Sequence, residues 1–331
     1  MSAQTSEVLK NGPSGDQKAE TGLDRQTLSG FKSLEKFTLK EVLGNSVSRK
    51  VVFVLADFAV EPGKVLPAVL KIEKKPFTDD AVNVAVSKQG VLSRQEMQNN
   101  IYGTYHLNLP DETNDLLTTV ILPATEKHIE KYRFRDHFTV EETPELYAKA
   151  TLPYVETYEM KHLKWVHNIL DGKAEQERIV FDDPDPEVGF VLAPDLKWDG
   201  KDLENLYLLA IVRKRGIKSM RDLSTDHLPL LENLLAKGSA AIRERYGLAE
   251  KRLRVYFHYQ PSFYHLHVHF VTLGFEAPGQ EVGKARLLQD VIGNLRLLPD
   301  FYQRATLTFT LKEGDNLLKE IDKARADEGK A

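Results

Sequence analysis

Residues 264–270 read Tyr264-His265-Leu266-His267-Val268-His269-Phe270, and the strict alternation of imidazole and apolar side chains decides the architecture around them. Successive side chains of a β-strand point to opposite faces. As a strand, this stretch sets three histidines on one face and Leu266, Val268 and Phe270 on the other, toward a core. Histidine makes up 10 of 331 residues, so three at fixed alternate positions arise by chance only roughly 0.01 times per chain. Just upstream, Leu253 to Tyr259 reads as a second strand, and Gln260-Pro261-Ser262-Phe263 as the turn that folds the two together. That turn brings His258 beside the three.

Neutral imidazole is a good nucleophile near neutral pH, and phosphorus accepts it to give a phosphoramidate that water hydrolyses. A protonated neighbour stabilises phosphoryl oxygens and supplies a proton to the leaving group. Close packing of imidazoles is expected to push their protonation states apart, one base-like and another cationic. Two blander readings stand beside this one: zinc ligation, for which no fourth ligand or second shell declares itself, and plain surface polarity.

Working outward, the second half of the chain reads as an α+β domain with a central antiparallel sheet. An amphipathic helix is expected over Val155 to Leu170, closed by Asp171-Gly172. Short strands are expected at Arg178 to Phe181, Phe190 to Ala193 and Leu206 to Val212. A long helix follows the capping cluster Ser224-Thr225-Asp226 and ends at Tyr246 before Gly247. The first half reads as mostly antiparallel β: Phe37 to Leu43, Lys50 to Val60, Lys64 to Lys74 and Leu117 to Leu122, with a helix over Ala124 to Arg135. The expected organisation is a disordered tail over residues 1–30, an N-terminal domain over 31–138 and a C-terminal domain over 139–331, with the polar run Thr139 to Pro144 between the two.

Composition narrows the chemistry. The net charge of −4 argues against a general binder of long nucleic acid, which carries a broad basic footprint. There is no cysteine, hence no disulfide, thiolate ligand or cysteine nucleophile. No apolar run reaches bilayer length, and the opening MSAQTSEVLKNGPSGDQK has no signal-peptide core.

His265-Leu266-His267-Val268-His269-Phe270-Val271 resembles the histidine-triad superfamily of nucleotide hydrolases and transferases. Longer stretches resemble, more narrowly, the scavenger mRNA-decapping enzyme family: Arg254 to Tyr259 with Pro261-Ser262, Phe190 to Trp198, Arg178 to Pro186, Trp165 to Glu175 and Ile101 to Leu107. The resemblance implies hydrolysis of cap dinucleotides and short capped fragments left by 3′-to-5′ mRNA decay, releasing 7-methylguanosine monophosphate. It implies His267 as nucleophile, with His265, His269 and His258 completing the catalytic set. It places Trp165 as the stacking residue for the cationic base, Leu196 and Pro194 in the same pocket, Glu175 on the guanine edge, and Asp195, Lys197 and Ser262 as further binding positions. Asn99, Tyr102 and Lys131 would close over the second nucleotide from the first domain, acting as a lid. The family pattern has tyrosine at Phe263 and arginine at Lys284, departures that weaken phosphate contacts without touching the nucleophile. The resemblance further implies no metal or organic cofactor, a domain-swapped homodimer, and residence in cytoplasm and nucleus. The alternatives are a triad hydrolase of dinucleoside polyphosphates or nucleoside phosphoramidates, and a cap-binding module without catalysis, against which a complete four-histidine set argues.

Overall fold

A computed structural model describes residues 33–328 apart from positions 114, 197, 199 and 278, and without the side chains of 112 and 158–162. The tail expected over residues 1–30, and Lys197, lie outside the described residues. The chain divides into two units, Met1–Phe134 and Arg135–Ala331.

In the first unit, β-branched runs punctuated by turns give β1 (Phe37–Ser46), β2 (Val51–Glu61) and β3 (Lys64–Lys74). The hairpin β4 (Val91–Asn99) and β5 (Tyr102–Asn108) follows, then β6 (Leu116–Ile121). The first three strands and β6 form an antiparallel sheet in the order β1-β2-β3-β6. Leu43, Val69, Ala124 and Ile129 pack a small core between this sheet and the helix Glu126–Tyr132. That helix is shorter than the expected Ala124 to Arg135. Thr125 caps it in a reciprocal box with His128, and the chain leaves helical geometry at Arg133. The β4–β5 hairpin was not anticipated; all of its residues are exposed.

The second unit contains β7 (His137–Glu142), β8 (Phe181–Asp182), β9 (Phe190–Pro194), β10 (Tyr207–Val212), β11 (Leu253–His258), β12 (His267–Thr272), β13 (Ala285–Leu287) and β14 (Leu307–Lys312). Six of these form one antiparallel sheet in the order β13-β11-β12-β10-β9-β8. One face of this sheet packs Phe190, Leu192, Leu208, Ala210, Val268 and Phe270 into the main core, against the helices Leu228–Tyr246 and Leu288–Leu297. The long helix ends where the sequence indicates: Gly247 takes φ 72° and its N–H closes on the Arg243 carbonyl. The other face carries Val191, Leu209 and Ile211, covered by Leu163, Val166, Ile169 and Leu170.

Three expectations need correction. The domain boundary lies between Phe134 and Arg135 rather than after 138, because Thr139 to Glu142 is not a linker: it belongs to β7, which pairs with β14 along its whole length. The single helix expected over Val155 to Leu170 is two, Leu152–His162 and Lys164–Leu170, broken at Leu163, whose side chain is buried with Val166 and Ile169. Arg178 is not in a strand; it ends a short 3-10 turn, Gln176–Arg178, and pairing begins only at Phe181.

Candidate active site

The alternation read from the sequence acts on β12. His267 and His269 oppose Ile211 and Leu209 on β10, so both imidazoles share the face covered by the helix Lys164–Leu170. His265 precedes β12 rather than lying in it. All three rings are nearly inaccessible, as is His258 at the end of β11. The His258 and His269 rings lie 4.1 Å apart, and those of His267 and His269 5.1 Å apart. The structure thus gathers His258, His267 and His269 into one cluster. His265 turns to the other side: its Nε2–H donates to the Val212 carbonyl at 2.8 Å, and its ring faces His167 at 6.3 Å. A cavity of about 330 Å³ opens there, lined by Leu163, His167, Arg215, Lys218, Tyr264 and His265.

The hydrogen bond that matters most is on His267. Its Nδ1–H donates to the His265 carbonyl at 2.7 Å. A carbonyl can only accept, so the ring is held in the Nδ1–H tautomer and the lone pair stands on Nε2. That atom is buried and has no hydrogen-bond partner among the described residues. Burial lowers the His267 pKa to about 4, and lowers that of His265 as well, helped by the nearby charges of His167 and Arg215. The expected split into a neutral and a cationic imidazole therefore does not hold between these two, since burial disfavours the cation in both. Phe263 stacks on the His267 ring at 3.9 Å and 14°, which fixes the ring plane. The sequence departure at Phe263 thus sits directly on the nucleophile candidate.

Around the cluster, packing replaces chance. Gly279 has φ +95°, and a Cβ there would stand 2.4 Å from His258 Nε2, so only glycine leaves room for that ring. The turn carrying Ser262 and Phe263 is anchored from below. Tyr259 and Gln260 both donate to the buried carboxylate of Glu142, and Tyr264 donates to Gln260. Glu142 is itself paired with the buried Arg221, whose guanidinium also donates to the carbonyls of Tyr302 and Ala305. Nothing in the polar run containing Glu142 announced this role.

The expected base-binding residues line a second group nearby. Trp165, 42% exposed, meets Phe263 edge-on at 4.9 Å, so the accessible indole and the triad are joined through one phenyl ring. Glu175 adopts φ 55° at the start of its turn, and its Oε2 accepts from Arg178 Nη1 at 2.6 Å. Arg178 Nη2 also donates to the Pro194 carbonyl at 3.1 Å, tying the Glu175 turn to the end of β9. The Asp195 N–H donates to the Tyr207 carbonyl, and Leu196 projects fully into solvent at 84% exposure. Ser262 is exposed at the turn. Sequence reasoning missed Arg178, although an acid and a base three residues apart is a readable pair.

Asn99, Tyr102 and Lys131 belong to the first unit. Asn99 and Tyr102 face each other across the turn at Asn100, which has φ 49°. Lys131 stands on a different element, with its ammonium over the Tyr132 ring at 5.2 Å. Among the described residues no group of three or more histidines and carboxylates has the geometry to hold a metal ion.

Comparison with known proteins identifies the family. Residues 32–135 match the family described as scavenger mRNA decapping enzyme (DcpS) N-terminal, and residues 164–284 the one described as scavenger mRNA decapping enzyme C-term binding. The chain belongs to the scavenger mRNA decapping enzyme family. It is 50% identical to the m7GpppX diphosphatase of Ascaris suum, over 87% of this chain and 94% of that one. It is 48% identical to the m7GpppX diphosphatase of Homo sapiens, over 87% and 86%. It is 34% identical to that of Schizosaccharomyces pombe, over 92% and 100%. Within this decapping family the second match, residues 164–284, begins one residue before Trp165 and ends after the histidine cluster, so it spans the four histidines, Phe263, Trp165, Glu175 and Arg178, while Glu142 lies ahead of it.

Proposed function

We propose that this decapping-family hydrolase cleaves the 5′-5′ triphosphate of cap dinucleotides and short capped RNA, m7GpppN, to 7-methylguanosine monophosphate and a nucleoside diphosphate or RNA diphosphate. The observation that carries it is the His267 tautomer: an unpartnered Nε2 lone pair, buried, on a ring locked by a backbone carbonyl and a stacked phenyl. In the first step an N–P bond forms from Nε2 to the phosphorus of the methylguanosine nucleotide, and the anhydride P–O bond to the diphosphate leaving group breaks. The ring then carries positive charge, and the Nδ1–H bond to the His265 carbonyl strengthens as it develops. In the second step water oxygen bonds to phosphorus, the N–P bond breaks, and His267 is regenerated with the water proton released to bulk or to the product phosphate.

Recognition of the cationic base falls to Trp165 by stacking and to Glu175 by accepting from the guanine edge, with Pro194, Asp195, Leu196, Lys197 and Ser262 completing the pocket. The first unit would supply Asn99, Tyr102 and Lys131 as a lid over the second nucleotide, which limits the length of RNA accepted. The homodimer with exchanged first domains is favoured by the exposed Val91, Leu92, Tyr105 and Leu107 on the β4–β5 hairpin. Action on the products of 3′-to-5′ decay in cytoplasm and nucleus is part of the same reading. The test is incubation with a methylated cap dinucleotide beside its unmethylated counterpart, with chromatography of the products. Release of 7-methylguanosine monophosphate, and capture of a nucleotidyl group on His267 in quenched reactions, is expected. Equal turnover of the unmethylated dinucleotide would favour a general dinucleoside polyphosphate hydrolase instead.

A further inference from the structure

His267 is held with its proton on Nδ1. His269, its neighbour at 5.1 Å, is held differently. Tyr207 on β10 opposes Val271 on β12, which puts its side chain on the face that carries the histidines. Its hydroxyl lies 3.1 Å from His269 Nδ1. From the opposite flank Tyr256, which pairs with His269 across β11 and β12, stacks on the imidazole at 5.1 Å and 21°. Both tyrosines are fully buried. An aromatic with a polar tip inside the aliphatic strand Tyr207-Leu208-Leu209-Ala210-Ile211 is costly to bury unless the hydroxyl finds a partner, and the imidazole here is such a partner.

The polarity of that bond follows from acid–base chemistry. A phenol is a much stronger donor than a neutral imidazole N–H, and an imidazole imine nitrogen is a far better acceptor than a phenolic oxygen. Burial raises the pKa of Tyr207 further, so the phenol keeps its proton. The hydroxyl therefore donates to Nδ1, and the single proton of neutral His269 resides on Nε2. We propose that Tyr207 is a positioning residue that fixes His269 as the Nε2–H tautomer, opposite to His267, so that the two adjacent rings offer a phosphoryl group one lone pair and one proton.

This division achieves by tautomer what two charges cannot achieve in a dry cluster. His267 Nε2 attacks phosphorus. His269 Nε2–H donates to a non-bridging phosphoryl oxygen or to the departing oxygen, and no cation has to be buried beforehand. Because the inference deepens the hydrolase reading, it rests on that reading for its catalytic meaning, while the tautomer itself is measurable without substrate.

The experiment is long-range nitrogen NMR of the full chain labelled with ¹⁵N-histidine, with signals assigned through His267→Asn and His269→Gln. In the wild type His269 should show a protonated Nε2 and a hydrogen-bonded imine Nδ1, and His267 the reverse. Tyr207→Phe keeps shape and burial and removes only the donor. It should shift the His269 Nδ1 signal to that of an unbonded imine and lower kcat about 10- to 100-fold, with KM for the methylated cap dinucleotide changed less than about twofold. A protonated Nδ1 on wild-type His269 overturns the proposal even if the variant fails to fold. So does a Tyr207→Phe enzyme whose kcat stays within about twofold of the parent. An enzyme that shows the predicted tautomers but turns over no cap would leave the assignment of Tyr207 standing and remove the substrate reading instead.

Discussion

At His267, burial and hydrogen bonding act on the same ring from different directions: one withholds charge, the other places the lone pair. With a pKa of about 4, the ring stays neutral and nucleophilic well below the usual histidine range. The acidic limb of kcat/KM on the methylated dinucleotide should accordingly not fall at 6.5 on account of His267, and any loss assignable to this residue should appear only toward pH 4. A pH–rate profile checks this, and His267→Asn should abolish turnover while cap binding persists. Gly279 gives a second expectation. Gly279→Ala adds a Cβ that meets His258 Nε2 at a backbone φ of +95°, so kcat should drop at least about tenfold with KM little changed; parent-like kinetics would show that the His258 ring orientation is immaterial. His267 and His269 were legible because alternation at period two is a local signal, whereas His265 lies ahead of β12 and does not follow the strand's alternation. Tyr207, Phe263 and Arg178 were less so, since their roles depend on which strand or turn lies beside them, and that is settled by pairing between distant segments.

Among elements, the contact between the long helix and β12 is decisive. Gly238 lies mid-helix, where replacement by alanine ordinarily gains roughly 0.5–1 kcal/mol. Here the added Cβ would stand 2.5 Å from the Phe270 ring, and overpacking a filled core costs about 1–3 kcal/mol. The loss outweighs the gain, so Gly238→Ala should lower the urea midpoint rather than raise it. Activity should fall too, because Phe270 adjoins His269 in the same strand. The helix itself was readable from Gly247 at its end and from the Ser224 cluster, which caps the 3-10 turn Thr225–His227 leading into it. The strand β7 was not: its only buried residues are Val140 and Glu142, and a buried glutamate looks like a solvated one until Arg221 is seen against it.

For the molecule as a whole, two neutral buried histidines make stability depend on acid. Above about 6.5 the His267 ring is neutral folded or unfolded and contributes no pH dependence. As pH falls from 6.5 toward 4 the unfolded chain takes up a proton that the folded ring refuses, so stability declines, by on the order of 3 kcal/mol in all. Below about 4 both states are protonated and the dependence flattens. His265, also lowered, pushes the same way. Urea unfolding of the second unit followed from pH 7 to 4 should show this decline, and His267→Asn should remove part of the slope; an unchanged slope in the variant would place the proton uptake elsewhere. Both units and most of their strands were foreseeable from residue patterns, whereas the limits of the second unit were not.

Those limits have a consequence for biosynthesis. Because β7 opens the second unit and β14, its only strand partner among the described residues, comes close to the end of the chain, the segment that first leaves the ribosome for this unit waits for nearly the last. The first unit, complete by Phe134, can fold while the remainder is still being translated. Nascent chains arrested before Leu307 should therefore show a protease-resistant first unit and a second unit still open to cleavage at β7. Resistance there should appear only in chains long enough to expose Lys312. Premature termination anywhere ahead of that strand would yield a product whose triad sequence is intact but whose frame has never closed.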